Sequence, residues 1–237
     1  MNGTGADSEE IGVVMAAHNE EGAVGAVVRR SREVLGPAVD ILVVDDGSTD
    51  GTAAEAEAAG ARVLRLWPNG GKGAAMRAGI AASRADWLVF IDADGQDDPG
   101  EIPVLLAERK ADVALINGSR FLGELKSGSI HPANRVGNIV LTRLFAKLFG
   151  QAITDSQAGF RVVRGDLLRT LPLRGDEYEF ETEVLGRLLR QGRRVVEVPV
   201  TREARAAGST DFRRVRNGLR ILGTMLALRV GARGAAR

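Results

Sequence analysis

Two runs in this chain, ILVV at 41–44 and LVFI at 88–91, are apolar without alternation, so a strand made from either is apolar on both faces. Strands of that kind belong in a sheet covered by helices on each side, the usual situation of parallel sheets. Further short β-rich runs occur as GVVMA (12–16), RVLRL (62–66), DVALING (112–118) and RVVEVPV (194–200), and the LVFI run extends over 87–92. Helical patterns separate them at about 20–35, 52–59, 73–84, 101–109, 134–149, 165–170 and 179–191. This alternation predicts βαβ units on a largely parallel sheet. With 237 residues, 44% of them hydrophobic, and no repeat or linker, the chain is expected to bury one large α/β core.

Composition then narrows the chemistry. The absence of cysteine excludes disulfides, thiolate metal sites and cysteine nucleophiles, so a metal must be held by oxygen or by one of two histidines. Residues 1–10 are polar and read as a flexible N-terminus, and the longest later apolar stretch, 221–228, is far short of the ~20 residues a membrane span needs. The expected location is the cytoplasm. From Arg202 onward, nine arginines face only Glu203 and Asp211, which invites an anionic surface as partner.

In open α/β sheets ligands bind beyond the carboxyl ends of the strands, and polar clusters follow four of the first five predicted strands. They are Asn19, Glu20 and Glu21; DDGSTDGT at 45–52; the glycine-rich NGGKGAAMRAG at 69–79 with its Lys72; and DADGQDDP at 92–99. Asp92, Asp94 and Gln96, read as alternate positions of an extended segment, would point the same way. Two carboxylates and an amide oxygen suit a hard cation such as Mg²⁺ or Mn²⁺, which could bridge to a diphosphate; a turn that merely needs Asp is the plainer alternative. Asp97 and Asp98 read as capping the next helix. The glycine-rich turn is neither a P-loop nor a dinucleotide fingerprint.

The ordered set AHNEEG, VVDDGSTDGT, NGGKGAA, DADGQDDP, GSRF, RVGN, DSQAGFR and EFETE resembles the family 2 glycosyltransferases of GT-A fold, from about Ile11 to Met225. Within them it is most similar to the dolichol-phosphate mannose and glucose synthases. The resemblance implies a single Rossmann-like three-layer domain over 11–205, followed by a basic amphipathic helix and tail over 206–237. It implies an inverting, metal-dependent transfer of a hexose from a nucleotide-sugar to a polyprenyl or dolichyl phosphate. Ala16, His18, Glu20, Asp46, Lys72 and Asp92 would then bind the donor, and Asp92, Asp94 and Gln96 the metal. Ala16 and His18 stand where the family usually has Pro and Tyr, which leaves GDP-mannose and a UDP-sugar both open.

Arg120 and Arg135 correspond to acceptor-phosphate contacts of that branch, and Asn138, Gln157 and Arg205 join them on the acceptor side. Asp155, Arg161, Glu181 and Glu183 fall on neighbouring motif positions, where pairing with the arginines is the alternative role. Asp94, Arg120 and Arg135 are the expected catalytic groups. A phosphate acceptor needs no general base; a hydroxyl acceptor would, and Asp155 is then the first candidate. Thr210 and Asp211 replace the Ser and Lys usual in lipid-phosphate synthases, so a soluble acceptor, or an idle nucleotide-sugar-binding module, remains the alternative. The helix at 139–150 has one basic stripe, Arg143 and Lys147, on an otherwise apolar surface. Phe212, Val215, Leu219, Leu222, Leu226 and Val230 recur at steps of three and four. That stripe could meet a membrane surface at its inner face, a second subunit in a homodimer, or the protein's own core; nucleic acid is not an expected partner.

Overall fold

The computed structural model describes residues 9–205 and 214–234. A seven-stranded sheet forms the centre: β1 (Ile11–Ala17), β2 (Asp40–Asp46), β3 (Arg62–Leu66), β4 (Trp87–Phe90), β5 (Val113–Ser119), β6 (Arg161–Arg164) and β7 (Arg194–Pro199). Their order is β3-β2-β1-β4-β6-β5-β7, and every pairing is parallel except those of β6 with β4 and β5. The helices are α1 (Val24–Leu35), α2 (Thr52–Ala58), α3 (Lys72–Ala82), α4 (Ile102–Leu106), α5 (Pro132–Phe149), α6 (Gly165–Thr170), α7 (Phe180–Arg190) and α8 (Arg214–Gly234).

Side chains of these strands divide between the two faces of the sheet, Leu42 and Val44 forming a smaller cluster with Ala75 of α3. Val13, Met15, Ile41, Val43, Trp87 and Val89 pack against α1, α2 and α4. Their neighbours Val14, Leu88 and Phe90 pack against α3, α5, α6, α7 and α8. Each such side chain contributes roughly 1.5–3 kcal/mol when fully buried, so the two-faced apolar runs are explained by helices on both sides. Gly79 lets α3 lie close to the sheet: a Cβ there would collide with Val14. The result is the expected three-layer α/β/α domain with a mostly parallel sheet and a C-terminal helix.

Three details differ from expectation. β4 ends at Phe90 rather than at residue 92, so Asp92 to Gly95 form a turn instead of continuing a strand. RVVR at 161–164, part of a motif in the sequence reading, is the antiparallel strand β6. The hydrophobic surface of α8 is split: Ile221, Met225 and Leu228 are buried, whereas Val215, Leu219, Leu226 and Val230 of the expected stripe are 48–77% exposed and its Leu222 is half-buried. The remaining stripe residue, Phe212, lies outside the described residues, as do Thr210, Asp211 and residues 1–8 of the expected flexible N-terminus.

The strand order reverses between β1 and β4. A crevice opens beyond their carboxyl ends at this switch point, and the clusters after β1, β2 and β4 project toward it.

Candidate active site

The crevice is a cleft of about 970 Å³, large enough for a nucleotide-sugar and part of an acceptor. One wall is built from the loop after β1. His18 Nδ1 donates to the Asp46 carbonyl at 2.9 Å and its Nε2 faces the Asn19 amide at 3.2 Å, which fixes the ring along this wall beside Ala16. The Asp46 carboxylate accepts from the Gly70 and Gly71 N–H groups, each at 2.8 Å. Gly71 has φ +94°, and a Cβ there would run into the Asp176 carbonyl, so the turn needs glycine. Asp46 therefore clamps the glycine-rich turn and is committed to it, although it also lines the cleft.

At the floor, Asp92, Asp94 and Gln96 are brought together by the turn after β4, not by strand alternation. Asp94 Oδ1 accepts from Gln96 N–H at 3.0 Å, and Gly95 supplies φ +73°. The remaining oxygens converge on one atom, Nη2 of Arg202, which lies 3.4 Å from Asp92 Oδ2, 3.6 Å from Asp94 Oδ2 and 3.0 Å from Gln96 Oε1. Lys72 holds the other oxygen of Asp92 at 2.7 Å and reaches Glu181 at 3.0 Å. Burial opposes charge on both partners, but the ion pairs outweigh it, raising Lys72 above its ordinary pKa and holding Asp92 well below the usual carboxylate range. The donor set of two carboxylates and an amide fits a hard divalent cation whose other positions go to phosphate oxygens and water. Among the described residues no group of three or more acidic or histidine side chains forms a complete cage.

Asp97 differs from the sequence reading. Asp98 caps the following turn through Gly100 N–H, but Asp97 is buried and paired with Arg202 Nη1 at 2.7 Å. Glu20 is bridged to Asp94 by Arg205, at 2.6 and 3.2 Å. Burial pushes Glu20 up to about 7; Arg205 opposes this, while the charges of Asp94 and Asp92 add to it.

Where the acceptor is expected, Arg120 forms a two-pronged ion pair with Asp155, Nε to Oδ2 at 2.7 Å and Nη2 to Oδ1 at 2.9 Å. Asp155 is fully buried beneath Arg120 and does not line the cleft. Arg120, Asn138 and Gln157 line the cleft; Arg135 does not, standing exposed one position from the α5 face that carries Asn134 and Asn138. Glu181 lines the cleft beside Lys72. Arg161 is buried, tied to Asn117, the Glu181 carbonyl and the Ser156 carbonyl, and Glu183 holds the 174–175 backbone. Both are structural braces.

Sequence reasoning missed Arg202, Tyr178, His131 and Asn134, all of which line the cleft. Arg202 follows β7, so the strand-end rule would have found it had it been extended to the last strand.

The profile of Glycosyl transferase family 2 matches residues 12–171. An undecaprenyl-phosphate mannosyltransferase from Micrococcus luteus is 35% identical over 212 residues, covering 84% of this chain and 86% of its own. Glycosyltransferase AglJ from Haloferax volcanii is 32% identical over 181 residues, 76% of this chain, which spans only 59% of that relative. Among solved structures, glucosyl-3-phosphoglycerate synthase from Mycobacterium tuberculosis, in complex with Mn²⁺, UDP and phosphoglyceric acid, superimposes with TM-score 0.76 at 25% identity over 93% of this chain and 78% of its own. A switch-point cleft floored by paired carboxylates, on a chain matched over most of its length by this profile, identifies the protein as a family 2 glycosyltransferase of GT-A fold.

Proposed function

We propose that this enzyme transfers a hexosyl group from GDP-mannose or a UDP-sugar to a polyprenyl or dolichyl phosphate, with inversion and with Mg²⁺ or Mn²⁺ on the donor diphosphate. The observation that carries the lipid acceptor is which elements wall the cleft. Its lining includes His131, Asn134 and Asn138 on or next to α5 and Arg216, Asn217 and Ile221 of α8. These two packed helices contain no Asp or Glu. Their outward surfaces carry Val136, Val140, Val215, Leu219, Leu226 and Val230 beside the exposed Arg135, Arg143, Lys147, Arg216 and Arg229. An apolar, basic surface beside the cleft suits peripheral attachment to an anionic leaflet, from which a lipid phosphate reaches Arg120. No helix among the described residues is long and apolar enough to cross a membrane. The similarity to an undecaprenyl-phosphate mannosyltransferase and to a dodecaprenyl-phosphate galacturonate synthase from Rhizobium johnstonii supports the same acceptor class.

The acceptor phosphate is anionic near pH 7 and attacks the anomeric carbon directly, forming the new C–O bond as the bond to the diphosphate breaks on the opposite face. Asp155 engages the Nε–Nη2 edge of Arg120 and aims the guanidinium, whose charge orients the incoming phosphate. Asp92, Asp94 and Gln96 would hold the metal, which when bound neutralises charge on the departing diphosphate. Lys72 keeps Asp92 ionised and in place.

The likeness to glucosyl-3-phosphoglycerate synthase favours a second reading, a soluble phosphorylated acceptor. Radiolabelled UDP- and GDP-sugars offered with polyprenyl phosphate in detergent, or with 3-phosphoglycerate, separate the two. Label partitioning into organic solvent only with polyprenyl phosphate is expected; transfer to 3-phosphoglycerate alone overturns the lipid acceptor.

A further inference from the structure

We propose that Arg202 is an internal counter-ion occupying the metal's own coordination point, so that a divalent cation can bind only as this guanidinium swings out, which couples metal binding to donor binding. This rests on the reading of Asp92, Asp94 and Gln96 as the metal ligands.

The three oxygens that would bind a metal all face the same Arg202 nitrogen, within 3.0–3.6 Å. A cation bonded to those oxygens and a guanidinium nitrogen cannot share that point, because they are like charges in contact. The backbone around Arg202 cannot drift away with the side chain: its N–H donates to the Glu124 carbonyl at 2.8 Å, its carbonyl accepts from Lys126 N–H at 3.1 Å, and Glu203 N–H donates to the Gln96 carbonyl at 2.8 Å. Displacement is therefore a side-chain rotation. Asp97 defines its pivot, since it grips Nη1 at 2.7 Å, is buried and stands outside the convergence point, while its Oδ2 has no hydrogen-bond partner within the protein. Arg202 thus has an inward position on the three oxygens and an outward one still tethered to Asp97. Arg205 reinforces the inward state by reaching Asp94 Oδ2 at 3.2 Å.

The exchange has an electrostatic consequence. A dication makes five positive charges, with Lys72, Arg202 and Arg205, against the five carboxylates Glu20, Asp92, Asp94, Asp97 and Glu181, and the displaced guanidinium loses its partners on Asp92 and Asp94. A diphosphate arriving with the metal offers the displaced guanidiniums a replacement anion. Metal and nucleotide must then tighten one another's binding by the same factor, as linkage requires. Salt-bridge competition thereby disfavours a metal-loaded site without donor.

The test is Mn²⁺ binding by the full chain, followed from the free-ion EPR signal without nucleotide. Wild type is expected to bind weakly, and Arg202→Gln at least ~10-fold more tightly, within the usual range of such couplings. Arg205→Gln, less buried, should move the same way by a smaller factor and serves if Arg202→Gln fails to fold. Thermal melts add a second readout, since Mn²⁺ should stabilise Arg202→Gln more than wild type. Asp94→Asn, introduced alone and with Arg202→Gln, distinguishes the layers. If it abolishes Mn²⁺ binding but both arginine variants bind Mn²⁺ no more tightly than wild type, the metal ligands stand and the counter-ion role falls. If it leaves Mn²⁺ binding intact, the metal ligands are misplaced and both readings fall.

Discussion

Asp155→Asn separates a positioning carboxylate from a catalytic base. Asp155 is fully buried and accepts four N–H groups: Arg120 N at 3.2 Å, Nε at 2.7 Å and Nη2 at 2.9 Å, and Gln157 N at 3.2 Å. The amide keeps one acceptor oxygen but removes the charge facing a guanidinium whose side chain is only 12% exposed. Removing one partner of a buried ion pair costs about 3–5 kcal/mol, and the retained oxygen argues for the lower end. At roughly 2–4 °C per kcal/mol for a chain of this size, Tm should fall by ~6–12 °C. In steady-state kinetics the acceptor KM should rise, with the shape of the pH–kcat profile preserved. A variant with Tm within about 2 °C of wild type, unchanged KM and kcat lowered by ~10³ or more would refute this reasoning and make Asp155 the base.

Asp94→Asn should lower Mn²⁺-dependent turnover at least ~10²-fold, and full activity of that variant in EDTA would exclude a metal at Asp94. Glu20, raised to about 7 from 4.5, carries a proton in the folded chain that the unfolded chain has already lost, so its contribution to stability declines as pH rises from about 5 to 8. Melts of wild type against Glu20→Gln should show the wild type losing ground over that interval; a gain would reverse the assignment. Leu219→Glu with Leu226→Glu, both on the exposed face of α8, should abolish salt-sensitive sedimentation with anionic vesicles while leaving Tm nearly unchanged, and undiminished sedimentation would remove α8 from the membrane contact.

Much of this architecture was legible because burial on two faces leaves a strong imprint: a strand such as β2 must be apolar at consecutive positions, and the residues released at its end must be polar. The convergence of Asp92, Asp94 and Gln96 was anticipated from the wrong local geometry, since a turn achieves what strand alternation was expected to do. Arg202 was missed because the strand-end reading stopped short of β7, and an arginine in VTREAR looks solvated until the 92–97 turn, more than a hundred residues away, packs against it. Asp97 resembled a helix cap for the same reason: its partner is more than a hundred residues away in sequence. On α8, apolar residues cover more than one face, so periodicity could not tell which stripe is buried.

The antiparallel strand β6 carries a consequence for how the molecule is made. It is synthesised after β5 but sits between β4 and β5, so on the ribosome these two hydrophobic strands emerge with no seat for their facing edges. Until residues 161–164 arrive, both edges display unpaired backbone amides and carbonyls, the template on which chains stick to one another. Closure then joins segments 71–77 residues apart, from Phe90 opposite Arg161 to Trp87 opposite Arg164, and the loop entropy of that late step places it among the slower events of folding. Nascent chains stalled before residue 161 are accordingly the species with most need of a chaperone.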